Sequence, residues 1–473
     1  MISCTLKREE FGMLEESAFF KTDKDCETAL ASLYVTMGGP HGGWVNGNQF
    51  GAFQFGDLIT DIMDTNWGTD WLYNNTYSAT RCTGGDLGDK FALVREITKC
   101  QGFILRVQRS DASQVKKDQV IAEAKTIRAY IAQHLYTYIG TIPVVPDEFI
   151  LDPQNVKYFP RMEKTAYIKM IQDDIDAALP FLKHPKDQNL NSESGRMNKG
   201  IAYMVLMKLY MVERDWEKVK IYGQKIIDLN YYALEPSYKN IFAVANRRNK
   251  EVIYGVPRDA KIPNSGNTWH ALTLPGLMPT PVDMAKWQGY TLRWSFVDTF
   301  NPADKRLDCV SQEFVGTDGK TYNRHNTAPG VFERGAVPVK YDFDPAHIAQ
   351  NSNHDIIRFR YADVLLSMAE AINELSSPIE AYTYFDQVRV RTGIGELQKG
   401  LSQVQFRDSI LLERAHEFFC EGSRYPDLLR HKKFIEVARK NPNSAIKDNQ
   451  LLWPIPQNYI LEYGGLLIQN PGY

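Results

Sequence analysis

From Val120 onward the apolar residues fall at Ala124, Ile127, Ile131, Leu135 and Tyr138. Steps of three and four place them on one face of a helix, and Gly140 and Pro143 are its stop signals. A second helix shows Tyr167, Ile171, Ile175, Ala178 and Leu182 on one face. The stretch RMNKGIAYMVLMKLYMVERDWEKVKIYGQKIIDLN (196–230) reads as two helices that turn at Arg214-Asp215, the second beginning near Trp216. RYADVLLSMAEAINELSSPIEAYTYFDQVRVRTG (360–393) reads the same way. Its second helix has Ser377 as predicted N-cap, Pro378 in the first turn, Glu380 completing a capping box and Gly393 as C-terminal cap. A third pair opens at Ser402, with Gln405 as capping-box partner, and runs through LLERAHEFFCEGSRYPDLLRHKKF. First helices rich in small residues, with second helices that return along them, give a degenerate tetratricopeptide-like spacing.

Two regions have a different texture. Residues 38–112 are rich in glycine and aromatics, and residues 246–356 hold most of the Pro and Gly punctuation with short β-like pieces such as EVIYGV. Loops this long are functional or disordered, and the aromatics argue against disorder. WGTDWLYNNTY (67–77) sets Trp67, Trp71 and Tyr73 among Asp70, Asn74 and Asn75 with almost no aliphatic company. TWHALTLPGLMPTPVDMAKWQGYTLRW (268–294) adds Trp269, Trp287, Tyr290, Arg293 and Trp294. The last three rings have helical spacing, but Gly289 and the Pro-rich run weigh against a continuous helix. A ring stacked on the C–H face of a sugar removes apolar area from water while neighbouring polar groups bond the hydroxyls. The seven rings are therefore candidate stacking residues, and Asp70, Asn74 and Arg293 candidate hydrogen-bonding partners. The competing reading is a buried aromatic core. Trp67 and Trp71 are expected to differ, one on ligand and one anchoring the loop.

Composition narrows the classes. The 473 residues are 43% hydrophobic and 24% charged, a globular balance. A net charge of −2 supplies no basic field for nucleic acid. No apolar run of membrane-spanning length is present, nor a signal peptide. The six cysteines form no CxxC pair, and no zinc or other metal site is read. Gly319-Lys320-Thr321 lacks the earlier glycine of a phosphate loop, so Asp318-Gly319 reads as a hairpin turn. His416-Glu417 has Cys420 where a zinc-protease motif needs its second histidine. Glu413, Glu417 and Glu421 share a helix face and read either as glycosidase carboxylates or as an ion-paired helix face, the second being preferred.

Four segments together resemble the SusD/RagB family of outer-membrane nutrient-binding lipoproteins. They are AEAKTIRAYIAQHLYTYIGTIPVV (122–145), RFRYADVLLSMAEAINEL (358–375), LLERAHEFFCEGSRYPDLLR (411–430) and the terminal LLWPIPQNYILEYGGLLIQNPGY (451–473). Asp363 stands where the family usually has Glu, and His416 where a bulky or charged residue is usual. The resemblance implies a mainly α fold, with about four tetratricopeptide-like helix pairs packed against a loop-rich, irregular ligand-binding region. It implies one domain over 1–473: an aromatic region at 38–112, helical repeats at 113–245, a ligand-binding insert at 246–356, further repeats at 357–435 and a C-terminal segment at 436–473. It further implies a non-enzymatic surface protein that captures oligosaccharide and delivers it to a SusC-like TonB-dependent transporter. Cys4, after Ile2-Ser3, would be the lipidation site and the only membrane contact, with no cofactor; a structural calcium is not readable from these spacings. The alternatives are the same fold binding peptide or another nutrient, a helical-repeat glycosidase, and a protein scaffold.

Overall fold

The computed structural model describes residues 20–38, 56–67, 91–151, 157–263, 265–440 and 446–473. They are mostly helical. Helices α1 (Asp23–Gly38) and α2 (Val94–Arg109) lie against the long α3 (Gln114–Ile139), which α4 (Lys164–Ala178) joins. Ser113 caps α3 through the Lys116 amide at 3.3 Å, and Gly140, at φ +88°, ends it. Tyr167 of α4 is fully buried and donates to the Ala132 carbonyl at 3.0 Å, which fixes the α3–α4 contact.

Helices α5 (Lys199–Glu213) and α6 (Trp216–Asp228) form the next hairpin. Asn198 and Asp215 cap them, accepting from the Ile201 and Lys218 amides at 3.0 and 3.2 Å. Arg214, at φ +56°, makes the turn between them. Helices α7 (Tyr361–Leu375) and α8 (Pro378–Arg391) follow, with Gly393 at φ +85° past the end. The expected Ser377 cap is not made: its side chain bonds no backbone amide of α8, and Pro378 in the first turn provides the start. The box at Ser402 and Gln405 is complete and opens α9 (Gln403–Phe418), which α10 (Arg424–Arg430) follows.

All the strands but the first, which lies between α1 and α2, fall between α6 and α7. β1 (Met63–Thr65), β3 (Tyr290–Arg293), β7 (Gly335–Pro338) and β4 (Val310–Ser311) form an antiparallel sheet in the order β1-β3-β7-β4. β2 (Val252–Val256) pairs with β8 (Ile356–Arg360), and β5 (Glu313–Val315) with β6 (Thr321–Asn323) around Gly319 at φ +79°. The helical spacing of Trp287, Tyr290 and Trp294 is overridden. Gln288 sits at φ +42°, and β1 and β7 take residues 290–293 into the sheet before a short helix at Trp294–Val297.

Candidate functional site

The sheet brings the two aromatic segments together. In the β1–β3 register Met63 faces Leu292 and Thr65 faces Tyr290, so the chain leaving β1 at Trp67 runs beside residues 287–290. Asn66 fastens this exit. Its amide donates to the Gly289 carbonyl at 2.8 Å, and its side chain donates to the Gln288 and Gly330 carbonyls at 2.8 and 3.0 Å. Trp67 is then held by one edge, its Nε1 donating to the Trp287 carbonyl at 3.2 Å, while its ring leans on Tyr290 at 5.1 Å between centroids. A Cβ on Gly289 would fall 2.4 Å from the indole, so this approach requires glycine. The ring still keeps 37% of its surface exposed.

Trp287 and Trp294 are half-buried. Trp294 donates from Nε1 to the Phe332 carbonyl at 3.0 Å, and the Arg324 guanidinium lies 4.9 Å from its ring centre. Asp298 holds Arg324 with two bonds of 2.7 Å. Arg293 forms an ion pair with Asp64 across β1 and β3 at 3.0 Å, and Arg334 approaches the same carboxylate at 3.9 Å. Asn66, Arg324 and Asp298 were not anticipated. Their places depend on pairings across tens to hundreds of residues, and nothing local in the sequence marks them.

Two candidates are corrected. Tyr290 is wholly buried in β3, which lies inside the sheet between β1 and β7 and buries residues 290–292 in succession. Trp269 keeps only 3% of its surface and rests against Tyr341 at 5.6 Å, where the Asn267 side chain accepts from its backbone amide at 2.9 Å. Both are packing residues. Cys4, Asp70, Trp71, Tyr73 and Asn74 lie outside the described residues. A cleft of about 1210 Å³ opens elsewhere, between α8 and residues 232–236, and none of the candidate rings lines it.

Glu413 and Glu417 of α9, and Glu421, which lies past the end of the helix rather than on the expected shared face, are committed to ion pairs. Glu417, fully buried, accepts from Arg360 at 2.8 Å, from Arg306 at 3.3 Å and from Arg391. Glu413 takes Arg306 at 2.7 Å and Arg389 at 3.2 Å; Glu421 takes Arg360 at 2.8 Å and Lys340 at 2.6 Å. Burial alone would raise the Glu417 and Glu421 carboxyls, but these cations hold both below the usual range. The helix face is an ion-paired seam, as the preferred reading of the sequence had it. Among the described residues no group of three His, Cys, Asp or Glu is placed to hold a metal, and no helix is long and apolar enough to cross a membrane.

A model described as the SusD family matches residues 347–473. SusD-like protein P25 of Formosa agariphila is 23% identical over 95% of this chain and 92% of its own length. SusD-like protein P38 of the same organism is 33% identical over 30% of this chain and 29% of its own. Among solved structures, a SusD homolog from Bacteroides thetaiotaomicron superposes with a TM-score of 0.81 at 19% identity, covering 97% of this chain and 98% of that one. Surface glycan-binding protein A from the same organism, in complex with laminarihexaose, gives 0.76 at 19% identity over 95% and 100%. The fold is shared along nearly the whole length of each.

Proposed function

We propose that the chain, which matches the SusD family model over residues 347–473 and shares the fold of SusD homologs along nearly its whole length, is a cell-surface protein of that family that captures oligosaccharide and passes it to a SusC-like TonB-dependent transporter. The observation that carries the reading is Trp67. It is a large, partly exposed indole whose Nε1 bonds the Trp287 carbonyl, just past β1 and directly before the polar-aromatic stretch 68–77 in sequence. The laminarihexaose complex of a like-folded protein supports a glycan as the ligand class. The proposed platform consists of Trp67, Trp71, Tyr73, Trp287 and Trp294, with Asp70, Asn74 and Arg293 as polar neighbours. Residues 1–473 are taken as one SusD-like unit, anchored to the outer membrane by a lipid on Cys4.

The role is binding without catalysis. A glycosidase needs one carboxyl that keeps its proton near neutral pH and one that is free to attack or to activate water. Glu417 and Glu421 are held ionised by buried guanidinium and ammonium groups and cannot serve as the proton donor. The test is a panel of soluble polysaccharides in retardation gels, followed by calorimetry on the best oligosaccharide. Retention with no sugar released is the expected result. Co-purified peptide with no glycan retention would favour the peptide-binding reading, and released reducing ends would overturn the non-catalytic role.

A further inference from the structure

A second site lies away from the aromatic face, where α3, α5 and β8 meet. Arg358, in the middle of β8, points between these elements, and its Nε donates to the Tyr130 hydroxyl at 3.3 Å. No carboxylate among the described residues forms an ion pair with it. The cations around it are all matched: Lys208 with Asp363 at 2.9 Å, Arg360 with Glu417 and Glu421 at 2.8 Å, and Arg430 with Glu370 at 2.6 Å. The carboxylates that face it are already shared. Asp363 also takes Arg414 at 2.8 Å, and Glu421 also takes Lys340 at 2.6 Å. Among the described residues around this cavity, Arg358 is the cation left without a carboxylate.

Arg358 is half-buried, its guanidinium is densely surrounded, and it lines a cavity of about 80 Å³. Gln133, His134, Thr137, Lys208 and Met211 form other parts of the wall. Arginine cannot shed its proton, and an enclosed charge with no counter-charge is costly. A water occupies about 30 Å³ of liquid, so the space suits a halide or a formate-sized ion and not a large one. Asp363 and Glu421 on the same wall disfavour a dianion. We propose that this cavity binds a small monovalent anion of halide to formate size, with Arg358 as its main partner, Lys208 behind it and the Gln133 amide alongside. The proposal does not depend on the glycan reading.

The decisive measurement uses bromide as the probe on the whole chain. Crystals grown in millimolar bromide should show anomalous density in this cavity at ion-pair distance from Arg358. In solution, the unfolding midpoint should rise with chloride or bromide but not with bulky gluconate at equal ionic strength, and Arg358→Met should abolish that difference. Water alone in the wild-type cavity would overturn the proposal. So would a bromide peak seen only at molar concentration with no effect on the midpoint, or a halide effect that survives in Arg358→Met. The wild-type anomalous map decides the matter whether or not the variant folds.

Discussion

Trp67 and Tyr290 touch, but they do opposite work. Trp67 has an anchored edge and keeps 37% of its surface exposed, so its loss should be felt by ligand; Tyr290 is enclosed, so its loss should be felt by the fold. We expect Trp67→Ala to weaken oligosaccharide binding by about 2 kcal/mol, roughly thirtyfold, while the thermal midpoint stays near the wild type. Tyr290→Ala should instead destabilise by about 3–5 kcal/mol, as for other buried aromatics cut to alanine. Calorimetry with urea unfolding on both variants separates the two roles, and equal loss of affinity with equal stability would contradict the assignment. Glu417 makes the complementary case for a charge. Its carboxylate serves Arg306, Arg360 and Arg391 at once. Glu417→Gln leaves enclosed guanidinium groups short of a counter-charge, and should cost about 3–5 kcal/mol in urea unfolding.

The elements differ in how far the sequence reveals them. The helices α3 to α9 were readable because their apolar positions recur at a helical period and most carry their own punctuation: Gly140, Asn198, Asp215, Gly393 and the Ser402–Gln405 box. Ser377 failed as a cap since a motif states only what a side chain can reach, not what it bonds. The sheet was not readable. β3 is four residues long, and its partners lie in segments hundreds and tens of residues away, so the pairing outweighed the helical spacing of Trp287, Tyr290 and Trp294. For the same reason the sequence could nominate seven rings but not divide platform from core. That division follows from the enclosure of β3 within the sheet and from Gly289. The missing Cβ there lets the indole of Trp67 lie against the strand. Gly289→Ala should push the indole outward at a cost of about 1–3 kcal/mol. The expected readout is a changed tryptophan emission and weaker glycan binding with far-UV dichroism unaltered; wild-type emission and affinity would show that the ring does not depend on this approach.

For the whole molecule, the buried titratable groups set how stability varies with pH. Burial holds His134 and His416 far below their ordinary value, with the Arg358 and Arg306 charges adding to the effect, and lowers His270 to about 3. These rings stay neutral in the folded chain, whereas the unfolded chain protonates them near pH 6.5. The stability they contribute is therefore full above pH 6.5 and is lost as pH falls. Asp57 works the other way. Enclosed and accepting from the Gly422 and Arg424 amides at 2.9 and 3.1 Å, it is raised by burial to about 7. It keeps a proton that the unfolded chain has released above pH 3.8, and Asp355, also raised, acts in the same direction. Three histidines outnumber two aspartates, so unfolding takes up protons between pH 6 and 5 and the urea midpoint should fall across that interval. Below about pH 4.5 the fall should steepen, because cation partners hold Asp363, Glu370, Glu417, Glu421 and Asp427 ionised in the folded chain, and their contribution is lost on protonation. His416→Gln removes one of the protons taken up. It should flatten the slope between pH 6 and 5 by about 1.4 kcal/mol per pH unit. An unchanged slope would mean that His416 already carries its proton in the folded chain beside Thr299 and Phe300, against the enclosure that surrounds it.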